Sequence, residues 1–160
     1  MKSEEEVQNA IERYADMVQK ICVLHSKQQA DAEDVFQNVF LKYATSKEFQ
    51  DLEHEKAWLI RVTMNACNDR FRGWFHKQVD LSDTMDAYGN SSPDLHYLLD
   101  ALKTLADPYR NVLYLYYYEG YKITEIAEIL HKKENTIHTW LRRAKTMLKD
   151  ILGGDIDDFR

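Results

Sequence analysis

Prolines and glycines are scarce, two and five in 160 residues, so the usual signals for tight turns and strand reversals are mostly missing. The two cysteines, Cys22 and Cys67, stand in no CxxC or Cys/His ligand spacing. That excludes a disulfide framework and a structural zinc site, and both read as small buried apolar groups. No apolar run comes near the roughly eighteen residues of a membrane-spanning helix. The opening Met1-Lys2-Ser3-Glu4-Glu5-Glu6 is acidic with no apolar stretch behind it, so neither membrane insertion nor a signal peptide is expected, and the expected location is cytoplasmic. The six histidines show no HExxH or comparable spacing, and a glycine-rich phosphate loop and a nucleophile elbow are both missing. Catalytic residues, metal ligands and cofactors are therefore expected to be none, and the chain is not expected to be an enzyme.

What the chain does have is 44% apolar and 30% charged residues, a balance that suits a packed core rather than disorder. Apolar residues recur every third or fourth position, which makes the fold class all-α. Val7, Ile11, Tyr14, Val18 and Ile21 form one stripe, and Phe36, Val39, Phe40 and Tyr43 a second. Trp58, Leu59, Val62 and Ala66 form a third. From Gln78 to Pro93 the period stops among Asp80, Asp83, Asp86, Gly89, Asn90, Ser91 and Ser92, a flexible acidic linker. Leu95, Leu98, Leu99, Leu102 and Leu105 resume it. Asp107-Pro108 reads as an N-cap with proline at the first helical position, and Gly120 as a C-terminal stop. Ile123 to Leu130, a polar break, and a last helix from about Thr136 to Leu152 then read as a helix-turn-helix. The expected division is two small helical domains, 1–77 and 95–160, joined by the linker 78–94.

The net charge is −6, yet residues 131–149 carry six bases against one acid. On that last helix Ile137, Leu141, Ala144 and Leu148 mark the buried stripe, which turns His138, Arg142, Lys145 and Lys149 to one flank and Thr139, Arg143 and Thr146 to the next. A major groove admits such a helix, and arginine holds guanine through paired hydrogen bonds. Periodicity alone leaves a merely solvated basic face equally open.

A resemblance covering nearly the whole chain, from about Val7 to Leu152, narrows the choice. Ile123-Thr124-Glu125-Ile126-Ala127-Glu128-Ile129-Leu130, followed by Thr136-Ile137 and Leu141-Arg142-Arg143-Ala144-Lys145, resembles region 4 of the extracytoplasmic-function (ECF) sigma factors. Trp58-Leu59-x-Arg61-Val62-x-x-Asn65-x-Cys67-x-Asp69-x-x-Arg72 is similar to their regions 2.3 to 2.4, and Ala32 to Lys42 to their region 2.2. A helix-turn-helix alone is weakly specific; the second match, in this order, is highly specific.

The resemblance implies an alternative sigma factor that binds core RNA polymerase and directs promoter-specific initiation. Region 2.2 would dock on the clamp helices of the polymerase's largest subunit through Asp34, Gln37, Asn38, Phe40 and Lys42, with Asn38 standing where the family usually has Glu. Phe49, Lys56, Arg61, Asn65, Asp69 and Arg72 would serve the minus-10 element, where a flipped base needs amide or acid groups, apolar walls and cations. Thr136, His138, Thr139, Arg142, Arg143, Lys145 and Lys149 would serve the minus-35 duplex. His138 and Trp140 stand where the family commonly has basic residues.

Trp58 reads as packing, Trp74 is open between packing and stacking, and Trp140 is open among a thymine methyl, the polymerase and partial burial. The cluster Tyr114, Tyr116, Tyr117, Tyr118 and Tyr121 reads as packing. Partners implied are the core polymerase, promoter DNA and an anti-sigma factor. The alternatives are a stand-alone helix-turn-helix regulator and a sigma-like interaction protein that has lost promoter binding.

Overall fold

The computed structural model describes residues 1–26, 28–71 and 93–154, without the side chains of 69–71 and 93–96. The chain divides into two compact units, Met1–Trp74 and Phe75–Arg160. All regular elements among the described residues are helical.

The first unit packs α1 (Glu4–His25), α2 (Gln29–Ala44) and α3 (Leu52–Phe71) against one another. A capping box starts α1: the Glu6 amide donates to Ser3 Oγ at 3.1 Å, and the Ser3 amide donates to Glu6 Oε2 at 2.8 Å. Both satisfy donors that a helix start leaves orphaned. Ile21, Leu24, Val39, Leu59, Ile60 and Cys67 are wholly or almost wholly buried where the three helices meet, and each large aliphatic side chain there contributes about 1.5–3 kcal/mol by leaving water.

Two of the expected stripes lie differently. On α1 the buried face is Ala10, Tyr14, Met17, Val18 and Ile21, while Val7 and Ile11 are half-buried. On α3 the core takes Leu59, Ile60, Thr63, Met64 and Cys67, and Trp58, Val62 and Ala66 are only half-buried. Thr63 explains the turn of the stripe. Its hydroxyl donates to the Leu59 carbonyl at 2.6 Å, so a nominally polar residue is satisfied within its own helix and enters the core.

The second unit holds α4 (Pro93–Leu102), α5 (Asp107–Leu113), α6 (Ile123–Leu130) and α7 (Glu134–Leu152). The cap of α5 falls at Ala106 rather than at the expected Asp107. Asp107 instead pairs with the buried Arg110 at 3.0 Å, one turn along, which takes its carboxylate away from the capping role. α5 then widens into a π-helical turn, Tyr114–Tyr118, closed by the Glu119 amide donating to the Tyr114 carbonyl at 3.1 Å.

Gly120, at φ 78°, reverses the chain towards α6. α6 opens with the Lys122 amide donating to Glu125 Oε1 at 2.9 Å. It ends in a Schellman arrangement: the His131 amide donates to the Glu128 carbonyl and the Lys132 amide to that of Ala127, at 3.3 and 2.9 Å. The residue that must turn left-handed there is a histidine, His131 at φ 56°, where glycine is the usual occupant.

Candidate nucleic-acid and partner interfaces

In the second unit α7 is fixed by its own spacing. Ile137, Leu141, Ala144 and Leu148 are buried, as their steps of three and four dictate. His138, Arg142, Arg143 and Lys149 are exposed in consequence, and Thr136, Thr139 and Lys145 are half-buried. Trp140 is half-buried as well. The exposed row is a cationic helix face of the size and chemistry that enters a major groove.

Lys145 is constrained from behind. Its ammonium lies 5.5 Å from the ring centres of both Tyr116 and Tyr117, within the range of cation–π attraction. Those rings meet each other edge-on at 4.9 Å, and Tyr114 and Tyr118 stack at 5.1 Å. Tyr114, almost fully buried, donates its hydroxyl to Glu119 Oε1 at 2.9 Å. The tyrosines are thus packing groups, and they also brace one cation of α7. No short-range signal in the sequence marks that second role.

In the first unit the outer face of α3 carries exposed Asn65 and half-buried Arg61, Val62 and Trp58, with Lys56 half-buried on the same helix. Asp69 lies in α3 but its side chain falls outside the described residues, as do Arg72 and Trp74 entirely. Phe49, from the connection between α2 and α3, closes the upper end of this face. It stacks on Tyr43 at 6.0 Å and meets Trp58 at 5.5 Å and His54 at 5.5 Å. Trp58 also touches Tyr43 edge-on at 6.3 Å. It is therefore packed on one side and open on the other.

Two acids of this region, Asp51 and Glu55, have internal partners. Asp51 accepts the His54 amide at 2.8 Å and so caps α3. Glu55 takes Arg13 at 3.1 Å and the Tyr43 hydroxyl at 3.1 Å. Burial, followed by the Glu55 hydrogen bond and charge, drives the Tyr43 phenol far above its ordinary 10.0. Burial and Glu55 likewise raise Tyr14, whose hydroxyl donates to the Leu52 carbonyl at 3.2 Å. Lys2 was not singled out by its sequence context, yet its ammonium donates to the carbonyls of Ser46 and Lys47, each at 3.0 Å.

On α2, Asp34, Gln37, Asn38 and Lys42 are exposed as expected, but Phe40 is not. It is 5% exposed and packs on Phe36 and Tyr43, so it supports the face from beneath. The apolar group presented alongside Asp34, Gln37 and Asn38 is Leu41, 66% exposed. Helical geometry puts Leu41 four residues from Gln37 on the same side. That spacing is legible in the sequence, whereas the burial of the neighbouring aromatic ring is decided by packing. Among the described residues no helix is long and apolar enough to cross a membrane, and no group of three or more His, Cys, Asp or Glu side chains converges as metal ligands do.

Two family models match the chain: Sigma-70 region 2 over residues 10–74, and Sigma-70, region 4 over residues 95–148. The RNA polymerase sigma factor SigV of Bacillus subtilis is 28% identical over 135 residues, which span 81% of either chain. The ECF RNA polymerase sigma factor SigM of the same organism is 27% identical over 154 residues, 91% of this chain and 94% of that one. Among solved structures, the co-crystal of the sigma factor RpoE with the anti-sigma factor NepR from Bartonella quintana matches with a TM-score of 0.68. That match is 19% identical and covers 93% of this chain and 98% of the other.

Proposed function

Because this chain belongs to the sigma-70 family, in its extracytoplasmic-function branch, we propose a specific division of labour between its units. As an alternative sigma factor it directs promoter-specific transcription. α2 docks on the clamp helices of the polymerase's largest subunit through Asp34, Gln37, Asn38 and Lys42, with Leu41 as the apolar centre of the patch. Phe49, Lys56, Arg61 and Asn65 engage the opened minus-10 strand. α7 reads the minus-35 duplex: His138, Thr139, Arg142 and Arg143 face base edges, and Thr136, Lys145 and Lys149 hold phosphates. The expected limits are 1–77 for the first domain, 78–94 for the linker and 95–160 for the second; because α4 already begins at Pro93, we start the second domain there.

The observation that carries this reading is the α7 face, where burial of Ile137, Leu141, Ala144 and Leu148 leaves a basic row outward. The protein catalyses nothing itself, works in the cytoplasm beside polymerase, and is held in check by an anti-sigma factor; the RpoE–NepR co-crystal supports that last point.

On its own the chain should bind promoter duplex poorly. Backbone attraction grows with the number of phosphates neutralised, one helix neutralises few, and the net charge of −6 opposes it. Fluorescence anisotropy on a labelled promoter, with and without core polymerase, tests this: tight, sequence-specific binding without polymerase at physiological salt favours the stand-alone regulator. Permanganate footprinting completes the test. Asn65→Ala and Arg61→Ala should impair strand opening more than polymerase binding, and normal opening in both would remove α3 from the minus-10 assignment.

A further inference from the structure

Lysine is the residue least often buried, yet Lys2 is only 9% exposed. Its main-chain amide donates to the Ala44 carbonyl at 2.8 Å. Its ammonium donates to the Ser46 and Lys47 carbonyls at 3.0 Å each, and the same nitrogen lies 5.2 Å from the Tyr43 ring centre and 5.1 Å from that of Phe49. Directly after it, the Ser3–Glu6 capping box anchors the chain to α1. One side chain, tied to a rigid helix start, thus grips both the backbone that leaves α2 and the aromatic ring that this backbone carries.

The connection between α2 and α3 needs such a grip. Its carbonyls at Ser46 and Lys47 belong to no helix or sheet ladder, and a buried ammonium is tolerated only where acceptors and π-faces replace its water. Each side supplies what the other lacks. The half-buried ring of Phe49 is then bordered by Tyr43, Trp58, His54 and the Lys2 ammonium.

We propose that Lys2 is a positioning residue for strand capture: it sets the shape of the Ala44–Gln50 segment and through it the placement of Phe49. The inference rests on the reading of Phe49 as part of the minus-10 surface. It assigns Lys2 no contact with DNA, because its nitrogen is turned inwards to carbonyls and rings. Docking through α2 and reading through α7 are independent of it.

The test uses the full chain with core polymerase and compares Lys2→Met, which keeps the stem and loses the charge, with Lys2→Arg, which keeps donors and charge. Lys2→Met should lower permanganate-detected opening by about tenfold to a hundredfold, the usual result of a misplacement near 1 Å. Affinity for core polymerase should stay within about twofold, because both variants keep the Lys2 main-chain amide that holds the end of α2 at Ala44. Lys2→Arg should recover most of the opening. Amide hydrogen exchange in residues 44–50 should quicken in Lys2→Met, while that of Leu59 and Ile60 stays slow, which separates a loosened segment from a lost fold.

Normal opening in Lys2→Met overturns the proposal, and so does a parallel fall of opening and polymerase affinity. A salt dependence reduced by about one phosphate equivalent in Lys2→Met would make it a DNA contact instead. Phe49→Ala distinguishes the two levels of failure. If it opens promoters normally, the minus-10 reading of Phe49 falls and takes Lys2 with it; if Phe49→Ala is defective and Lys2→Met is not, only the role of Lys2 falls.

Discussion

The basic face of the second unit is set by four residues spaced along one helix, whereas the aromatic face of the first is assembled from α1, α2, α3 and the connection before α3. Ile137, Leu141, Ala144 and Leu148 need only be buried for Arg142 and Lys149 to point outwards. Phe49 and Trp58, by contrast, hold their places through Tyr43, Glu55, Arg13 and Lys2, residues drawn from distant parts of the chain. A surface of the first kind should tolerate change at outward positions such as Arg142 or Lys149, because their bearing is set by the buried row beneath. In a surface of the second kind each member holds its neighbours, so single changes spread.

The largest expected effect probes the independence of the outward residues on α7. Arg142→Ala should relax base preference in the upstream element by about 1–3 kcal/mol, the worth of a bidentate pair. Lys149→Ala should weaken binding equally on all sequences and lower the salt slope by about one. Selection from randomised upstream elements measures both. Identical sequence profiles for wild type and Arg142→Ala would take that arginine out of the reading set.

Next in size is the shared bond at Glu55. Tyr43→Phe removes the hydroxyl donated to Glu55 and should cost about 1 kcal/mol at neutral pH. Alkali sharpens the point. Tyr43 and Tyr14 both ionise above their ordinary 10.0 in the folded protein, so between that value and the raised one the folded state keeps protons that the unfolded chain has released. Their stabilisation is therefore whole below about pH 10 and declines as pH rises beyond it. Urea midpoints should fall over that range, less steeply in Tyr43→Phe. Equal slopes in the two proteins would show that Tyr43 is not the group responsible.

The smallest effect, and the only one expected to stabilise, is at the turn between α6 and α7. His131 adopts φ 56°, a region that disfavours a Cβ, and His131→Gly should raise stability by up to about 1 kcal/mol. Thermal melting of the two proteins gives the answer; a lower melting temperature in His131→Gly would mean that the imidazole contributes more than the backbone loses.

The same contrast between units explains what could be read from sequence. The α7 stripe, the turn before it and the break at Gly120 are local patterns, and each stands where spacing puts it. The α3 stripe turned because Thr63 satisfies its own hydroxyl, which a polar label conceals. Asp107 looked like a cap until Arg110 took its carboxylate. On α2, Phe40 and Leu41 differ by one position, and only the packing of Phe40 on Phe36 and Tyr43 decides which is presented. Lys2 was illegible for a plainer reason: its acceptors are carbonyls, which every residue has, so no side-chain pattern announces them.

The π-helical turn at Tyr114–Tyr118 acts as a phase shifter between two halves of the second unit. An ordinary helix advances about 100° per residue, and a turn closed five residues back holds one residue more than that pitch allows. Everything after it leaves the helix on a different bearing, while Tyr116 and Tyr117, within the widened turn itself, lie against Lys145. Deleting a single tyrosine would restore the ordinary pitch and redirect the chain before Gly120, whereas exchanging any one for phenylalanine would leave the bearing unchanged. The angle at which α6 and α7 are offered is thus encoded in a residue count rather than in any one side chain.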